Sequence, residues 1–186
     1  MKIALDVDGV LADVIKLWLQ YNNSRRRTIT KNEITEWNFW KKFDIKPEEF
    51  DNELSFCWKS WKKILPTENE LSNTVCKLAN LGTVDIVTAR ASSTNTYVKN
   101  WLKTQNIAYH EYVSVKTGPQ KAELDYDIYI DDSPINAQRI VNSRKNILLY
   151  SQPWNLTIHD SRIKRIEKLI DAVKIIKEDS LSETNL

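Results

Sequence analysis

The chain is poor in cysteine and has no long apolar run. Only two of its 186 residues are cysteine, Cys57 and Cys76, and their spacing matches neither a metal site nor a disulfide framework. Both lie in helix-like stretches, so we expect free, buried thiols. No apolar stretch approaches the ~18–20 residues that span a bilayer. These absences argue against a disulfide scaffold and against a membrane protein.

An excess of charge of one sign is also lacking. The formal net charge is only +2 with 28% charged residues, whereas a dedicated nucleic-acid binder would be far more basic, so we expect no stable nucleic-acid partner. The basic run at 24–28 is more typical of a solvated face than of a phosphate or nucleic-acid patch. The N-terminus carries one lysine and then Asp6, unlike a signal peptide, and this predicts a cytoplasmic protein.

Glycine occurs only three times, so its positions are informative. Gly9 directly follows "MKIALDVD", a β-rich apolar run, typical of a buried parallel strand, that ends with Asp6 and Asp8. A glycine here lets the chain turn sharply and bring backbone N–H groups close to an anion. The same letters could begin a calcium loop, but Val10 and Leu17 stand where an EF-hand needs oxygen ligands.

Aromatic residues are concentrated in one part of the chain. All four phenylalanines and five of the seven tryptophans lie between Trp18 and Trp61. A short helical segment needs such bulky side chains to build a core. We therefore predict a small helical cap at 14–66, inserted after the first strand of a core domain that comprises 1–13 and 67–186.

Beyond residue 66, strand-like runs alternate with helical patterns. The runs "TVDIVTA", "AYHEYVSV", "YDIYI" and "NILLY" indicate strands, and Thr67 with Glu70 has the spacing of a capping box at the start of a helix. A final amphipathic helix is indicated by a stripe of six residues: Ile163, Ile166, Leu169, Ile170, Val173 and Ile176. This alternation predicts a three-layer, Rossmann-like α/β fold with a mainly parallel sheet.

Three predicted strands end on reactive side chains. They are followed by Asp6 and Asp8, by Thr88, and by Asp131 and Asp132. Parallel sheets bind ligands at the carboxyl ends of their strands, so we expect these groups to converge at one edge. Four carboxylates repel one another unless a cation lies among them, and oxygen ligands suit Mg²⁺. By itself, the second aspartate pair could be only a strand-ending turn.

The remaining groups at this edge suit a phosphate. Thr88 offers a hydroxyl and Lys121 a compact positive charge, with Lys116 as a nearby alternative. Backbone donors after Gly9 complete an anion site. A carboxylate in such a site that is not used elsewhere can act as a nucleophile.

The stretches "DVDGVLAD" and "IVTAR" resemble the first two motifs of the haloacid-dehalogenase-like superfamily of phosphohydrolases. "KAELDYDIYIDDSP" resembles the remaining two of its four motifs, and all four occur in the superfamily's order. "TITKNEITEWNFW", "IDDSPINA" and "LLYSQPWN" are similar to stretches of its 5′(3′)-deoxyribonucleotidase family. The resemblance covers nearly the whole chain and implies Mg²⁺-dependent hydrolysis of a nucleoside monophosphate. The alternatives are another small monoester, such as a sugar phosphate or phosphoglycolate, or a polynucleotide end. A non-catalytic phosphate-binding protein is disfavoured because every motif residue is intact.

The resemblance also implies roles for the carboxylates. Asp6 corresponds to the nucleophile that becomes an aspartyl-phosphate, and it also binds the metal. Asp8 corresponds to the acid and base, and its carbonyl to a metal ligand. Asp132 corresponds to a direct metal ligand, and Asp131 supports it. We expect neighbouring carboxylates to raise the pKa of Asp8 so that it can act as acid and then base.

Further residues are implied around the phosphate and the substrate. Thr88 matches the motif-two hydroxyl with the Ala89 N–H beside it, and Lys121 lies ten residues before Asp131, as the family pattern requires. Arg90 stands where some members differ, so the base and sugar preferences are not carried over. The resemblance places cap aromatics against the base, and we expect Trp37 or Trp40 among them. The oligomeric state stays open.

Overall fold

The computed structural model describes residues 1–24 and 28–184, so most of the basic run at 24–28 lies outside the described residues. Its six strands form one parallel sheet in the order β3-β2-β1-β4-β5-β6. The strands are β1 Lys2–Leu5, β2 Thr83–Thr88, β3 Tyr112–Ser114, β4 Ile128–Asp131, β5 Asn146–Tyr150 and β6 Lys164–Ile166.

The helices are α1 Val14–Asn23, α2 Pro47–Lys59, α3 Leu71–Ala79, α4 Asn95–Thr104, α5 Pro134–Asn142 and α6 Leu169–Thr184. The last four of these cover the two faces of the sheet. One apolar cluster joins α3, α4 and α6 to one face, and a second joins α5 to the other. The predicted three-layer, Rossmann-like fold is confirmed. None of the helices in the described residues is long and apolar enough to cross a membrane.

The central strand β1 is short and buried on both faces. Ile3 and Leu5 belong to the larger apolar cluster and Ala4 to the smaller one, as the two-residue period of a strand requires. β1 pairs with β2 and β4, and the N–H of Asp6 continues the ladder to the carbonyl of Ile130 at 3.0 Å. The residues that follow β1 therefore start at the middle of the sheet edge.

The helical segment, residues 14–66, lies between β1 and α3 in the chain. Its interior contains edge-to-face contacts of the Trp18 ring with Phe39 and Phe50, at 5.6 and 5.2 Å between ring centroids. The chain enters and leaves this segment side by side, because the Asp13 N–H donates to the Leu65 carbonyl at 2.9 Å. Aromatic packing thus replaces the aliphatic core of the sheet layers.

The structure corrects several local predictions. The Thr67 hydroxyl donates to the Val10 carbonyl at 2.6 Å. The residue before α3 is Glu70, with a positive φ of 65°, and no side chain of the described residues caps this helix. The predicted capping box is therefore wrong. Cys57 is buried as expected, but Cys76 is exposed.

The final helix begins later than the apolar stripe predicts. Ile163 and Ile166 are not on it, because Lys164–Ile166 forms the edge strand β6, which pairs with β5. From Leu169 onward the predicted stripe does face the core, with Val173 and Ile176 buried. A short edge strand followed directly by a helix places both sets of apolar residues on the core, so periodicity alone does not separate them.

Candidate active site

A cavity of about 500 Å³ lies between the carboxyl edge of the sheet and the helical segment. Asp6, Asp8, Thr88, Lys121 and Asp132 all contribute to its lining. The predicted convergence of strand ends is therefore realised, because β1, β2 and β4 are adjacent in the sheet.

Lys121 is a buried cation between two carboxylates. Its Nζ lies 2.8 Å from Asp6 Oδ1 and 2.7 Å from Asp131 Oδ2. Burial alone would lower the pKa of Lys121, but Asp131 and Asp6 raise it above its ordinary value. The lysine is carried by the 3-10 helix Gly118–Glu123, whose first turn is closed by a capping box between Thr117 and Gln120.

Asp6 is buried at the end of β1. Burial, with a smaller contribution from Asp131, raises the pKa of its carboxyl to about 7, against the lowering effect of Lys121. Its Oδ1 contacts Lys121, while no donor among the described residues reaches Oδ2. A carboxylate with one oxygen engaged and one left available is suited to bind a cation or to attack.

Asp131 has both oxygens engaged by the protein. Oδ1 accepts from the Ser133 N–H at 2.8 Å and from Asn136 Nδ2 at 3.2 Å. Oδ2 accepts from Asn136 Nδ2 at 3.1 Å and from Lys121 at 2.7 Å. This carboxylate therefore organises its neighbours and has little capacity left for an ion.

Asp132 differs from its neighbour. Its Oδ2 accepts from the indole N–H of Trp154 at 3.0 Å, and its backbone carbonyl accepts from Asn155 Nδ2 at 2.8 Å. No described residue donates to Oδ1. Burial is the main cause that raises the pKa of Asp132 well above its ordinary value, with Asp131 and Asp6 adding to it.

The donor set fits a hard divalent cation. Ligand atoms of Asp6, Asp131 and Asp132 lie within 4.8 Å of one another. Two of these carboxylates keep an unengaged oxygen, and Lys121 is the one cation that contacts the cluster in the described part of the chain. Mg²⁺ binds where desolvated carboxylate oxygens cluster and their negative charge exceeds the positive charge of the neighbouring side chains.

Asp8 lies where the helical segment meets the sheet edge. Trp58 of α2 donates its indole N–H to Oδ1 at 3.0 Å, and the Arg90 guanidinium lies 2.9 Å from Oδ2. Arg90 in turn lies 3.7 Å from Asp51 of α2. The pKa of Asp8 is raised as predicted, but burial is the cause rather than neighbouring carboxylates, and Arg90 opposes the shift.

The backbone conformation and the close packing at position 9 require a glycine. Its φ is +75°, and a Cβ at this position would lie 2.0 Å from Asp132 Oδ2. No other residue type permits both this backbone conformation and this close approach. The scarce glycine therefore lets the loops after β1 and β4 come together.

The predicted phosphate and substrate groups line the same cavity. Thr88 is buried at the end of β2, its hydroxyl accepts from the Arg90 N–H at 3.2 Å, and Ala89 also lines the cavity. Lys116 lies on the cavity lining too, but its side chain is exposed and does not contact Asp6. Lys121, rather than the alternative, is therefore the lysine in contact with the predicted nucleophile.

The helical segment contributes an aromatic wall. Trp37 and Trp40 both line the cavity, and Trp40 stacks on Phe50 with 4.6 Å between ring centroids at 16°. Several polar residues of the site carried no predicted role: Asp51, Trp58, Asn136, Gln152, Trp154 and Asn155. The stretches "IDDSPINA" and "LLYSQPWN" contain four of these. Polar and aromatic residues that directly follow a predicted strand were the sequence signal that could have identified them.

A parallel sheet with paired aspartates at the ends of β1 and β4, a hydroxyl after β2 and a buried lysine defines a haloacid-dehalogenase-like hydrolase. Residues 1–180 match the sequence model of the family described as "5' nucleotidase, deoxy (Pyrimidine), cytosolic type C protein". The chain belongs to this family, and it is therefore an enzyme of the phosphatase class. The resemblance inferred from the motifs is confirmed.

Individual relatives agree with the family. The chain is 24% identical to "Putative nucleotidase BH1399" of Halalkalibacterium halodurans, over 95% of this chain and 93% of that protein. It is 23% identical to "Putative nucleotidase YqfW" of Bacillus subtilis, over 94% and 92% respectively. Among solved structures, a haloacid dehalogenase-like family protein of Streptococcus pneumoniae superposes with a TM-score of 0.64 at 12% identity, covering 94% of this chain and 97% of that one, which shows the shared fold.

Proposed function

We propose that the chain is a Mg²⁺-dependent 5′(3′)-deoxyribonucleotidase-like enzyme that hydrolyses nucleoside monophosphates through an aspartyl-phosphate on Asp6. The observation that carries the proposal is the pairing of Asp6 Oδ1 with Lys121 at 2.8 Å while Oδ2 is left without a donor among the described residues of the cavity. The family and the named relatives support the nucleotide as substrate.

The proposed metal ligands are Asp6 and Asp132, through their unengaged oxygens, and the backbone carbonyl of Asp8. Asp131 is assigned a supporting role, because Lys121, Ser133 and Asn136 already occupy its oxygens. When bound, Mg²⁺ would neutralise phosphate charge and keep Asp6 ionised despite its burial. Lys121 and the hydroxyl of Thr88, together with the N–H groups of Ala89 and the Gly9 loop, would hold the phosphate oxygens.

The reaction divides into two displacements. In the first, the Asp6 carboxylate attacks phosphorus, the ester P–O bond breaks, and the leaving oxygen takes a proton from Asp8. In the second, Asp8 accepts a proton from water as that water attacks the phosphorus of the aspartyl-phosphate, which releases inorganic phosphate and restores Asp6. Trp58 donates to Asp8 Oδ1 and Arg90 is ion-paired with Oδ2, so the proton that Asp8 carries must occupy a lone pair that these two contacts leave open.

We also propose that residues 14–66 act as a cap over a core formed by 1–13 and 67–186. Trp37 and Trp40 on the cavity wall are assigned to the base of the nucleotide, and Arg90 to orienting Asp8 at the substrate side. An aromatic wall opposite a phosphate site matches a ligand that is charged at one end and flat at the other. The family description names a cytosolic type, and we propose the same compartment.

The test is a substrate panel with purified protein. Deoxynucleoside and nucleoside monophosphates should be hydrolysed with kcat/KM at least ~10-fold above sugar phosphates and phosphoglycolate, and EDTA should abolish turnover. Mass spectrometry of quenched reactions should find a phosphoryl group on Asp6. A preference for sugar phosphates would refute the substrate, and a modification at another residue would refute the nucleophile.

A further inference from the structure

One turn after β5 contacts both loops that carry the candidate metal ligands. We call residues 152–155 the β5 turn. Gln152 Nε2 donates to the carbonyl of Gly9 at 2.6 Å, in the loop after β1. Trp154 Nε1 donates to Asp132 Oδ2 at 3.0 Å, and Asn155 Nδ2 donates to the Asp132 carbonyl at 2.8 Å, in the loop after β4. The two loops are thus tied together through a third, which the catalytic motifs do not include.

The β5 turn is itself firmly held. Asn155 is fully buried, and its side chain also donates to the carbonyl of Tyr150 at 2.8 Å and accepts from the Gln152 N–H at 3.2 Å. Arg165 of β6 donates to Asn155 Oδ1 at 2.8 Å and to its carbonyl at 2.9 Å. Because the side-chain amide of this asparagine is engaged at both ends, the turn can impose a fixed position on what it contacts.

Trp154 acts on the carboxylate itself. An indole N–H is a donor only, and a buried ring has one orientation, so it binds one oxygen of Asp132 and no other group of that side chain. The engaged oxygen is Oδ2, which leaves Oδ1 without a donor among the described residues. The Trp154 ring also lies 3.2 Å from where a Cβ on Gly9 would be, so the ring, Gly9 and Asp132 pack as one unit.

We propose that Trp154 is a positioning residue that orients Asp132 for a divalent cation. This inference rests on the Mg²⁺ dependence of the proposed function. Partners of metal ligands outside the coordination sphere fix ligand orientation, and their loss typically weakens metal binding by about 10–100-fold. Removing the indole N–H should therefore let the Asp132 carboxylate rotate and should weaken binding by a factor in that range.

The chain offers a matched control in Trp58. It is also buried, and it donates the same kind of N–H at the same 3.0 Å to a site aspartate, but to Asp8, whose side chain is not among the proposed ligands. Trp154→Phe and Trp58→Phe therefore delete the same donor at two carboxylates of one cavity. The contact of Trp154 with Asp132 should affect metal affinity, whereas the contact of Trp58 with Asp8 should affect the orientation of the proposed acid and base.

The experiment measures metal binding without substrate. Mg²⁺, or Mn²⁺ followed by electron paramagnetic resonance, is titrated into the full chain, and the rise in Tm with metal is recorded in parallel. Trp154→Phe should raise the dissociation constant about 10–100-fold. Trp58→Phe should leave the dissociation constant within about threefold of wild type and lower kcat at saturating Mg²⁺.

The outcomes separate this inference from the proposed function. Wild-type affinity in Trp154→Phe, or equal weakening in both variants, overturns the role of Trp154 while the Mg²⁺ dependence stands. A wild-type chain that binds neither metal overturns both. Should Trp154→Phe not fold, Trp154→Met deletes the same indole N–H with a flexible apolar side chain, and unchanged affinity in that variant overturns the inference as well.

Discussion

The two walls of the cavity are built by different physical means. On the sheet wall, charged groups meet at hydrogen-bond distance, as in the contacts of Lys121 with Asp6 and Asp131 at 2.8 and 2.7 Å. On the helical wall, rings meet rings, and the indole N–H of Trp40 has no partner within the described residues. Ion pairs therefore fix the individual groups of the sheet wall, whereas ring packing makes the helical wall a continuous aromatic surface.

Asp8 stands between these walls and belongs to both. It follows β1 in the chain, yet one of its oxygens is held by Trp58 of α2 and the other by Arg90, which reaches Asp51 of the same helix. A movement of the helical segment would therefore change the surroundings of Asp8 directly and those of Asp6 only slightly. The comparison predicts that mutations in the sheet wall change kcat, whereas those in the helical wall change substrate choice.

The largest effect is expected for Asp6→Asn. The variant removes the nucleophile and a metal ligand together, so kcat should fall at least ~10³-fold with every substrate, including p-nitrophenyl phosphate. Asp125→Asn, at a fully exposed carboxylate, is the matched control and should keep wild-type kinetics. Near-normal turnover in the Asp6 variant would contradict the proposed mechanism.

The next largest effect should distinguish the two lysines of the cavity. Lys121→Met removes the cation in contact with Asp6, and loss of one such electrostatic group costs about 10²–10³-fold in kcat. Lys116→Met, at an exposed position, should change kcat less than about threefold. Steady-state kinetics of the two variants decide between them, and the reverse order of effects would assign the phosphate to Lys116.

A smaller and more selective effect is expected on the helical wall. Trp37→Leu removes a ring from the cavity lining, and stacking of a base on an aromatic ring is worth about 1–3 kcal/mol, so KM for a nucleotide should rise by about 5- to 150-fold. The KM for p-nitrophenyl phosphate should change little, since it lacks a base. Trp61→Leu, in the same segment but outside the cavity, should change neither value. Equal loss on both substrates would remove Trp37 from base recognition.

The sheet wall could be predicted from sequence because its signal is local. Each reactive group follows an apolar strand directly, and the topology of parallel sheets brings strand ends to one edge. The same locality explains why the Gly9 prediction succeeded: a glycine after two aspartates implies a turn, whichever residue it turns against. The atom it makes room for, Asp132 Oδ2, belongs to a loop more than a hundred residues away.

The polar groups that hold the site could not be predicted in this way. Trp58 reaches Asp8 across fifty residues and Trp154 reaches Asp132 across twenty-two, and tryptophans read as core residues when only spacing is considered. The strand β6 was missed for a related reason, since its apolar residues continue the period of α6. In both cases the deciding contact is tertiary, and its partner lies outside the window in which a sequence pattern is recognised.

The last predicted effect concerns stability without metal rather than catalysis, and it tests whether the sheet wall is strained for function. Burial raises the pKa of Asp6 from 3.8 to about 7, so the folded chain binds this proton more tightly than the unfolded chain does. The stability that Asp6 contributes is fully present below its unfolded pKa and is lost as pH rises through about 7.

The amide that replaces this carboxyl in Asp6→Asn does not ionise. In EDTA, the free energy of unfolding of Asp6→Asn relative to wild type should therefore grow by about 2.5 kcal/mol between pH 5 and pH 8. Denaturant unfolding at both pH values measures this difference, and Asp125→Asn should show none. Mg²⁺ should reduce the gain at pH 8, because a bound cation favours the ionised carboxylate that only the wild type has. A difference independent of pH would mean that Lys121 alone already compensates the charge of Asp6.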